Sequence, residues 1–222
     1  MTMNKIKKKN DGFMPSITND LKVNYRTDLV FKTYFKENLE NHILEKKKHN
    51  LINSAVLCLI SNLEEKHDTN IILTLRSKKL RKHSGQISFP GGKLELNDKD
   101  FESCALRETF EEIGVSFENI EILGKMNKYS TGTGFLIQPI IAKIKKDIEF
   151  KVNPNEVDEV IYFPIEYLFS KKNIELSTYK SSSNEKYLYY DIDWNNYRIW
   201  GATAMILFDL SKVIKKYRNN ND

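Results

Sequence analysis

The run Arg107-Glu108-Thr109-Phe110-Glu111-Glu112-Ile113-Gly114 constrains this chain more than any other. A helix turns by about 100° per residue, so Glu108, Glu111 and Glu112 fall within an arc of about 100°. Leu106, Phe110 and Ile113 occupy a different arc and are expected to pack on a sheet. Like charges at these spacings cost roughly 0.2–0.5 kcal/mol per pair even on an exposed helix. Three on one arc call for compensation. A divalent cation supplies it, and clustered hard oxygens suit Mg²⁺ or Mn²⁺ better than zinc. An acidic solvated face is the plainer alternative, and the residues before the helix bear on the choice.

Those residues are basic. Residues 71–92 hold Arg76, Lys78, Lys79, Arg81 and Lys82 and no acid, a charge of +5. Residues 93–115 carry a net −4. Between the two blocks lies Phe89-Pro90-Gly91-Gly92. Paired glycines let the backbone take conformations closed to other residues and approach a ligand closely. Carboxylates for a metal beside cations for an anion are what phosphoanhydride chemistry requires. The metal polarises phosphoryl oxygens, a carboxylate activates water, and the basic groups hold flanking phosphates. The total of +5 over 222 residues is less informative. Its excess sits in residues 1–10 and 211–222, which leaves the body slightly acidic. An RNA-binding module acting through those tails is the alternative of another class; nucleic acid is not the expected partner.

Around this centre the chain alternates strand-like and helical stretches. Strands are expected at Ser54–Ile60, Ile71–Leu75, Ile120–Leu123, Leu136–Ile144, Val157–Phe163, Ile174–Tyr179 and Lys186–Ile192, with Ser181–Glu185 as a hairpin turn. Pro139 predicts that its strand is an edge or carries a bulge. Helices are expected with Phe31, Phe35, Leu39 and Ile43 on one stripe, from about Asp98 to Ile113 with Gly114 as a left-handed cap, at Pro164–Leu168, and at the end around Ala204, Leu207, Phe208, Ser211 and Ile214. The class is α/β, a mixed sheet between helices. Residues 1–26 read as a disordered basic extension, 27–217 as one domain and 218–222 as a mobile tail. At 40% hydrophobic residues a real core is available. The longest apolar run, Ala55–Ile60, is strand length, so no membrane span is expected. Cys58 and Cys104 cannot build a disulfide scaffold, and a reducing cytoplasm is the expected location. The mitochondrion is the alternative, although the N-terminus has lysines and almost no arginine. The C-terminal Asn220-Asn221-Asp222 is not a peroxisomal address.

The helix and its approach resemble the Nudix hydrolase family. That family's box runs from a glycine, here Gly92, through a carboxylate to an Arg-Glu-apolar-x-Glu-Glu-x-Gly-apolar segment, here Arg107 to Val115. Three positions depart from it. Asp98 stands for a glutamate, the following spacer is one residue longer, and Thr109 replaces an apolar residue. A narrower resemblance is to the coenzyme A pyrophosphatase branch. It rests on Leu73-Thr74-Leu75-Arg76-Ser77, Arg81, Gly85 and Phe89-Pro90-Gly91-Gly92, with Ile72 where leucine is usual. Thr131-Gly132-Thr133-Gly134, Asn153-Pro154-Asn155-Glu156-Val157 and Trp200-Gly201-Ala202-Thr203 also fit that branch.

The resemblance implies a Nudix-type α/β/α sandwich with a mixed central sheet. It implies metal-dependent hydrolysis of the pyrophosphate in coenzyme A or acyl-CoA, giving 3′,5′-ADP and 4′-phosphopantetheine. A broader nucleoside-diphosphate or dinucleotide pyrophosphohydrolase is the alternative. Glu108, Glu111 and Glu112 would hold Mg²⁺ or Mn²⁺. The catalytic set would be Glu111, Glu112, Glu156 and Arg107, with Arg107 orienting a box carboxylate and Glu159 in reserve for Glu156. Arg76, Arg81, Gly91 and Gly92 would bind substrate. His83 in the same loop is read as solvent-facing. Tyr129, Phe135 and Trp200 are read as core aromatics, with a substrate slot as the alternative. A homodimer is left open.

Overall fold

The computed structural model describes residues 51–61, 68–144, 148–180 and 186–221. The helix expected around Phe31–Ile43 and the turn at Ser181–Glu185 lie outside them. Strands β1 (Ile52–Ser61) and β2 (Asn70–Arg76) are the two apolar runs read from the sequence. Two short strands follow, β3 (Ile87–Ser88) and β4 (Gly91–Lys93), then helix α1 (Phe101–Ile113). Next come β5 (Ile120–Lys125), β6 (Tyr129–Ser130), β7 (Phe135–Ile144) and β8 (Val157–Pro164). A 3₁₀ turn at Ile165–Phe169 stands where a short helix was expected after Pro164. The chain ends in β9 (Glu175–Lys180), β10 (Lys186–Trp194), β11 (Tyr197–Trp200) and helix α2 (Gly201–Asn221).

The main sheet is mixed. β1 pairs parallel with β7 and antiparallel with β2 and β4, while β8 and β3 both pair with β2. Alternation along the strands assigns its two faces. Ala55, Leu57, Leu59, Ile72, Ile140 and Ala142 cluster with Cys104, Ala105 and Ile113 of α1. Cys58, Ile60, Ile71, Leu73 and Ile141 cluster with Ala204, Leu207, Leu210 and Ile214 of α2. Both faces are therefore buried, which explains why β1 is nearly continuous in apolar residues. The order is helix, sheet, helix, as expected of an α/β/α sandwich. The smaller sheet β9–β10–β11 is antiparallel and adds Tyr190, Ile192 and Ile199 to the α2 side. Among the described residues no helix is long and apolar enough to cross a membrane.

Pro139 is not on an edge. β7 lies between β1 and the pair β5 and β6. The missing amide is tolerated because Pro139 sits where pairing passes from β6, opposite Ile137, to β5, opposite Ile140. The irregularity falls in the partner, as a register shift between Ile122 and Gly124 of β5. In that gap the Met126 amide donates to the Pro139 carbonyl at 3.0 Å.

Candidate active site

Helix α1 is fixed at both ends. It starts at Phe101 and not Asp98, because Asp100 is the N-cap. The Ser103 amide donates to Asp100 Oδ1 at 2.8 Å, and the Asp100 amide donates to Ser103 Oγ at 2.9 Å, a reciprocal capping box. Gly114 ends the helix in the left-handed region, φ +70°, with its amide on the Phe110 carbonyl. A side chain there would meet Lys151, so backbone conformation and space both require glycine.

The buried face of α1 differs from the expected one. Phe110 is 59% exposed, whereas Cys104, Ala105, Thr109, Glu112 and Ile113 are buried. The inward arc is centred nearer the glutamates than the aromatic residue. Thr109 tolerates burial because its hydroxyl donates to the Ala105 carbonyl at 2.7 Å. Glu112, 2% exposed, accepts from the Gly91 amide at 3.3 Å and faces Arg76 Nη1 at 3.5 Å. A hydrophobicity pattern gives a buried glutamate no weight; of the expected arc Ile113 is buried and Leu106 packs on the core, while Phe110 turns outward.

The glycine pair belongs to β4, which lies against β1 with Ala55 opposite Gly92 and Val56 opposite Gly91. A Cβ on Gly91 would lie 2.3 Å from the Ala55 carbonyl oxygen. A Cβ on Gly92 would lie 2.3 Å from Glu108 Oε1. Gly91 thus lets β4 dock on the sheet, and Gly92 leaves the space that the Glu108 carboxylate fills.

Arg107 organises the carboxylates around it. Its Nε donates to Asp98 Oδ1 at 2.9 Å and its Nη2 to Asp98 Oδ2 at 3.0 Å, a forked pair. The same guanidinium reaches Glu111 Oε2 at 2.9 Å, Glu108 Oε1 at 3.1 Å and the Lys93 carbonyl at 3.1 Å. Asp98 therefore supplies a carboxylate partner to Arg107. Glu111 is 48% exposed and held by Arg107. In this arrangement no three Asp, Glu, His or Cys side chains among the described residues draw together around one point.

The basic loop meets the carboxylates through Arg76. Beyond it Ser77 is buried, while Lys78, Lys79, Arg81 and Lys82 are exposed. His83, at φ +57°, contacts Gln86 through Nδ1 at 2.9 Å and is exposed. Glu156 is brought to the same end by the loop before β8. The Ser77 amide donates to the Glu156 carbonyl at 2.9 Å. Glu159 is directed elsewhere, since the Tyr197 hydroxyl donates to its carboxylate at 2.8–2.9 Å. Tyr129 is in the core with its hydroxyl on Asp209 at 3.1 Å, and Trp200 is exposed beside Tyr189 and Arg198.

Burial and charge set the protonation tendencies. Burial pushes the Glu112 carboxyl up to about 8, against the pull of Arg76 and the Gly91 amide, and Glu108 and Glu156 add to the rise. Glu108 is also raised, first by burial, with Glu111 and Glu156 contributing repulsion. Asp98 is lowered, chiefly by the hydrogen bond from Arg107. Glu108 and Glu112 therefore both feel the charge of Glu156, Glu112 feels that of Glu108, and Glu108 feels that of Glu111. Glu108 and Glu112, which burial and mutual repulsion disfavour as anions, offer hard oxygens that fit a hard divalent cation. Sequence reasoning gave Asn153 no role at the site, although it bonds both Glu112 and Glu156. Its signal was present only within the Asn153–Val157 segment that fits the coenzyme A pyrophosphatase resemblance.

Comparison with known proteins gives a consistent picture. The sequence pattern described as the NUDIX domain matches residues 52–183, more than half of the chain. A Photorhabdus laumondii protein named "Uncharacterized Nudix hydrolase NudL" is 30% identical over 149 residues, covering 65% of this chain and 77% of that protein. "Nudix hydrolase 15, mitochondrial" of Arabidopsis thaliana is 34% identical over 166 residues, covering 72% of this chain and 57% of that protein. Among solved structures, a Nudix hydrolase from Nitrosomonas europaea aligns with a TM-score of 0.48 at 19% identity, covering 77% of this chain and 74% of that one.

Proposed function

The chain belongs to the Nudix family and is a pyrophosphohydrolase, and from that premise we propose that its substrate is coenzyme A or an acyl-CoA. Water attacks one phosphorus of the pyrophosphate, and the bridging P–O bond breaks. The products are 3′,5′-ADP and (acyl-)4′-phosphopantetheine. The observation that carries this reading is the junction at Arg76. There the loop bearing the coenzyme A pyrophosphatase resemblance meets the buried Glu112, with four exposed cations following in Lys78, Lys79, Arg81 and Lys82. A substrate with a pyrophosphate and a further phosphate presents anionic charge to both parts.

In this mechanism Glu108, Glu111 and Glu112 would hold Mg²⁺ or Mn²⁺, the kind of divalent ion that Nudix enzymes generally use. When bound, it neutralises and polarises phosphoryl oxygens. The side chains do the rest. Arg107 keeps Glu108 and Glu111 oriented from a guanidinium anchored on Asp98. Gly91 lets β4 lie against β1, and Gly92 leaves Glu108 its space. Arg76 and Arg81 bind phosphate oxygens through forked donors. Glu156 accepts the proton of the attacking water, with Glu111 and Glu112 completing the acidic wall.

The test is direct. Incubation with Mg²⁺ and coenzyme A should release 3′,5′-ADP, followed by mass. Cleavage of dinucleotides without coenzyme A cleavage would replace this reading with the broader dinucleotide pyrophosphohydrolase.

A further inference from the structure

Three elements are joined at the site in a closed circuit. The Arg76 guanidinium of β2 faces the Glu112 carboxylate of α1 at 3.5 Å. The next residue, Ser77, donates its amide to the Glu156 carbonyl at 2.9 Å. The amides of Glu156 and Val157 both donate to the Asn153 carbonyl, at 3.0 and 2.9 Å. The Asn153 amide donates to the Glu112 carbonyl at 2.9 Å and closes the circuit. β2 and β8 shift register where the circuit passes between them, with Leu75 opposite Glu159 and Arg76 opposite Val157. The shift leaves Asp158 unpaired in the ladder, and its carboxylate accepts the Lys78 amide at 3.1 Å. It ties the basic loop to the same turn.

Asn153 has two kinds of bond in this circuit. Its side-chain oxygen accepts the Asn155 amide at 3.1 Å, which builds the turn. Its side-chain Nδ2 has no part in the turn. It is directed at Glu156 Oε1 at 3.5 Å, the long end of hydrogen-bond reach. Contacts of this kind often tighten only when substrate is present.

We propose that Asn153 is a positioning residue: its side-chain amide aims the Glu156 carboxylate beside Glu112, where Glu156 receives the proton of the attacking water. This rests on the function proposed above. Without that donor the Glu156 side chain keeps its backbone place and loses its aim. Misplacement of a reacting group by about 1 Å can cost on the order of 100-fold.

The experiment is a pair of double-mutant cycles on the full chain with Mg²⁺ and coenzyme A, with a dinucleotide as second substrate. Asn153→Ala removes donor and acceptor together. Asn153→Asp keeps the turn's acceptor and replaces the donor with a carboxylate oxygen that repels Glu156. Each is combined with Glu156→Gln, and folding is followed by thermal unfolding. Both single variants should lower kcat by about 10–100-fold with KM within about twofold. Neither should lower kcat further in the Glu156→Gln background. If Asn153→Ala fails to fold, Asn153→Asp carries the test alone. Wild-type turnover in Asn153→Asp, or effects that multiply with Glu156→Gln, would overturn the role of Asn153 and leave the function standing. A wild-type protein that cleaves neither substrate would overturn the function itself, and this role with it.

Discussion

Replacing Arg107 with alanine should destabilise the fold as well as stop catalysis, and the two losses separate by pH. Asp98 has a side chain only 4% exposed, takes two bonds from Arg107 and accepts the Glu95 amide at 2.8 Å. Breaking a buried ion pair from one side typically costs 3–5 kcal/mol. Arg107 is 24% exposed, so water partly replaces it, and about 2–4 kcal/mol is expected. For a domain of this size that is a fall in Tm of very roughly 4–16 °C. The sign with pH follows from Asp98. Arg107 holds its folded-state carboxyl below the ordinary range. That stability is present above the unfolded value of about 4 and is lost as pH falls through the lower, folded value. The gap between wild type and Arg107→Ala should therefore be widest at neutral pH and narrow below about pH 4. Arg107→Lys should recover only part of it, because lysine keeps the charge and loses the fork. Urea unfolding across that range measures all three proteins. A gap under about 0.5 kcal/mol at neutral pH, within the scatter of surface substitutions, would refute the reasoning. So would a gap that does not change with pH.

Other outcomes follow from the same geometry. Gly91→Ala should lower stability, since its Cβ meets the Ala55 backbone at 2.3 Å; Gly92→Ala should fold and lose activity, since its Cβ displaces the Glu108 carboxylate. Thermal melts and turnover of both proteins distinguish the two. Glu159→Gln should keep turnover within about twofold, because Glu159 is engaged with Tyr197, whereas Glu156→Gln should lose about 100-fold or more. Equal losses would contradict the assignment. Burial raises the Asp209 carboxyl above its ordinary value, so ionising it opposes folding. Asp209→Asn should gain on wild type as pH rises through and above about 4, read by urea unfolding at several pH values.

β1 and β2 were legible because burial on both faces writes them as apolar runs, and the partly exposed β5 and β8 stand where strand-like runs lie. Gly114 was legible for a different reason: a glycine after a helical pattern meets one steric need. β3, β4, β6 and β11 were not foreseen, being two to four residues long and defined by their partners rather than their own pattern. Pro139 was misjudged because the irregularity lies in the partner strand β5. At the site, the box residues could be named from spacing. The inward turn of Glu112 and the outward turn of Phe110 could not, because they depend on Arg76 and Gly91 arriving from other strands.

The local charges explain why such a site is built with arginines already inside it. Asp98, Glu108, Glu111, Glu112 and Glu156 share one end of the sheet with Arg76 and Arg107, a formal charge of −3. Arg107 has spent its donors on Asp98, Glu108, Glu111 and the Lys93 carbonyl. Arg76 has not. Among the described residues its Nε is buried with no hydrogen-bond partner, and its Nη1 reaches Glu112 only at 3.5 Å. An orphaned buried donor costs about 1–3 kcal/mol. Arg107 is therefore the fixed anchor and Arg76 the cation with something left to gain. A divalent cation would bring the formal charge to −1 and take over the neutralisation of Glu112. Arg76 could then turn its unused donor to a phosphate oxygen, carried in by the exposed lysines and Arg81 beyond it. Under the proposed function the two arginines would thus divide once a ligand is present, Arg107 continuing to hold the wall and Arg76 binding the substrate.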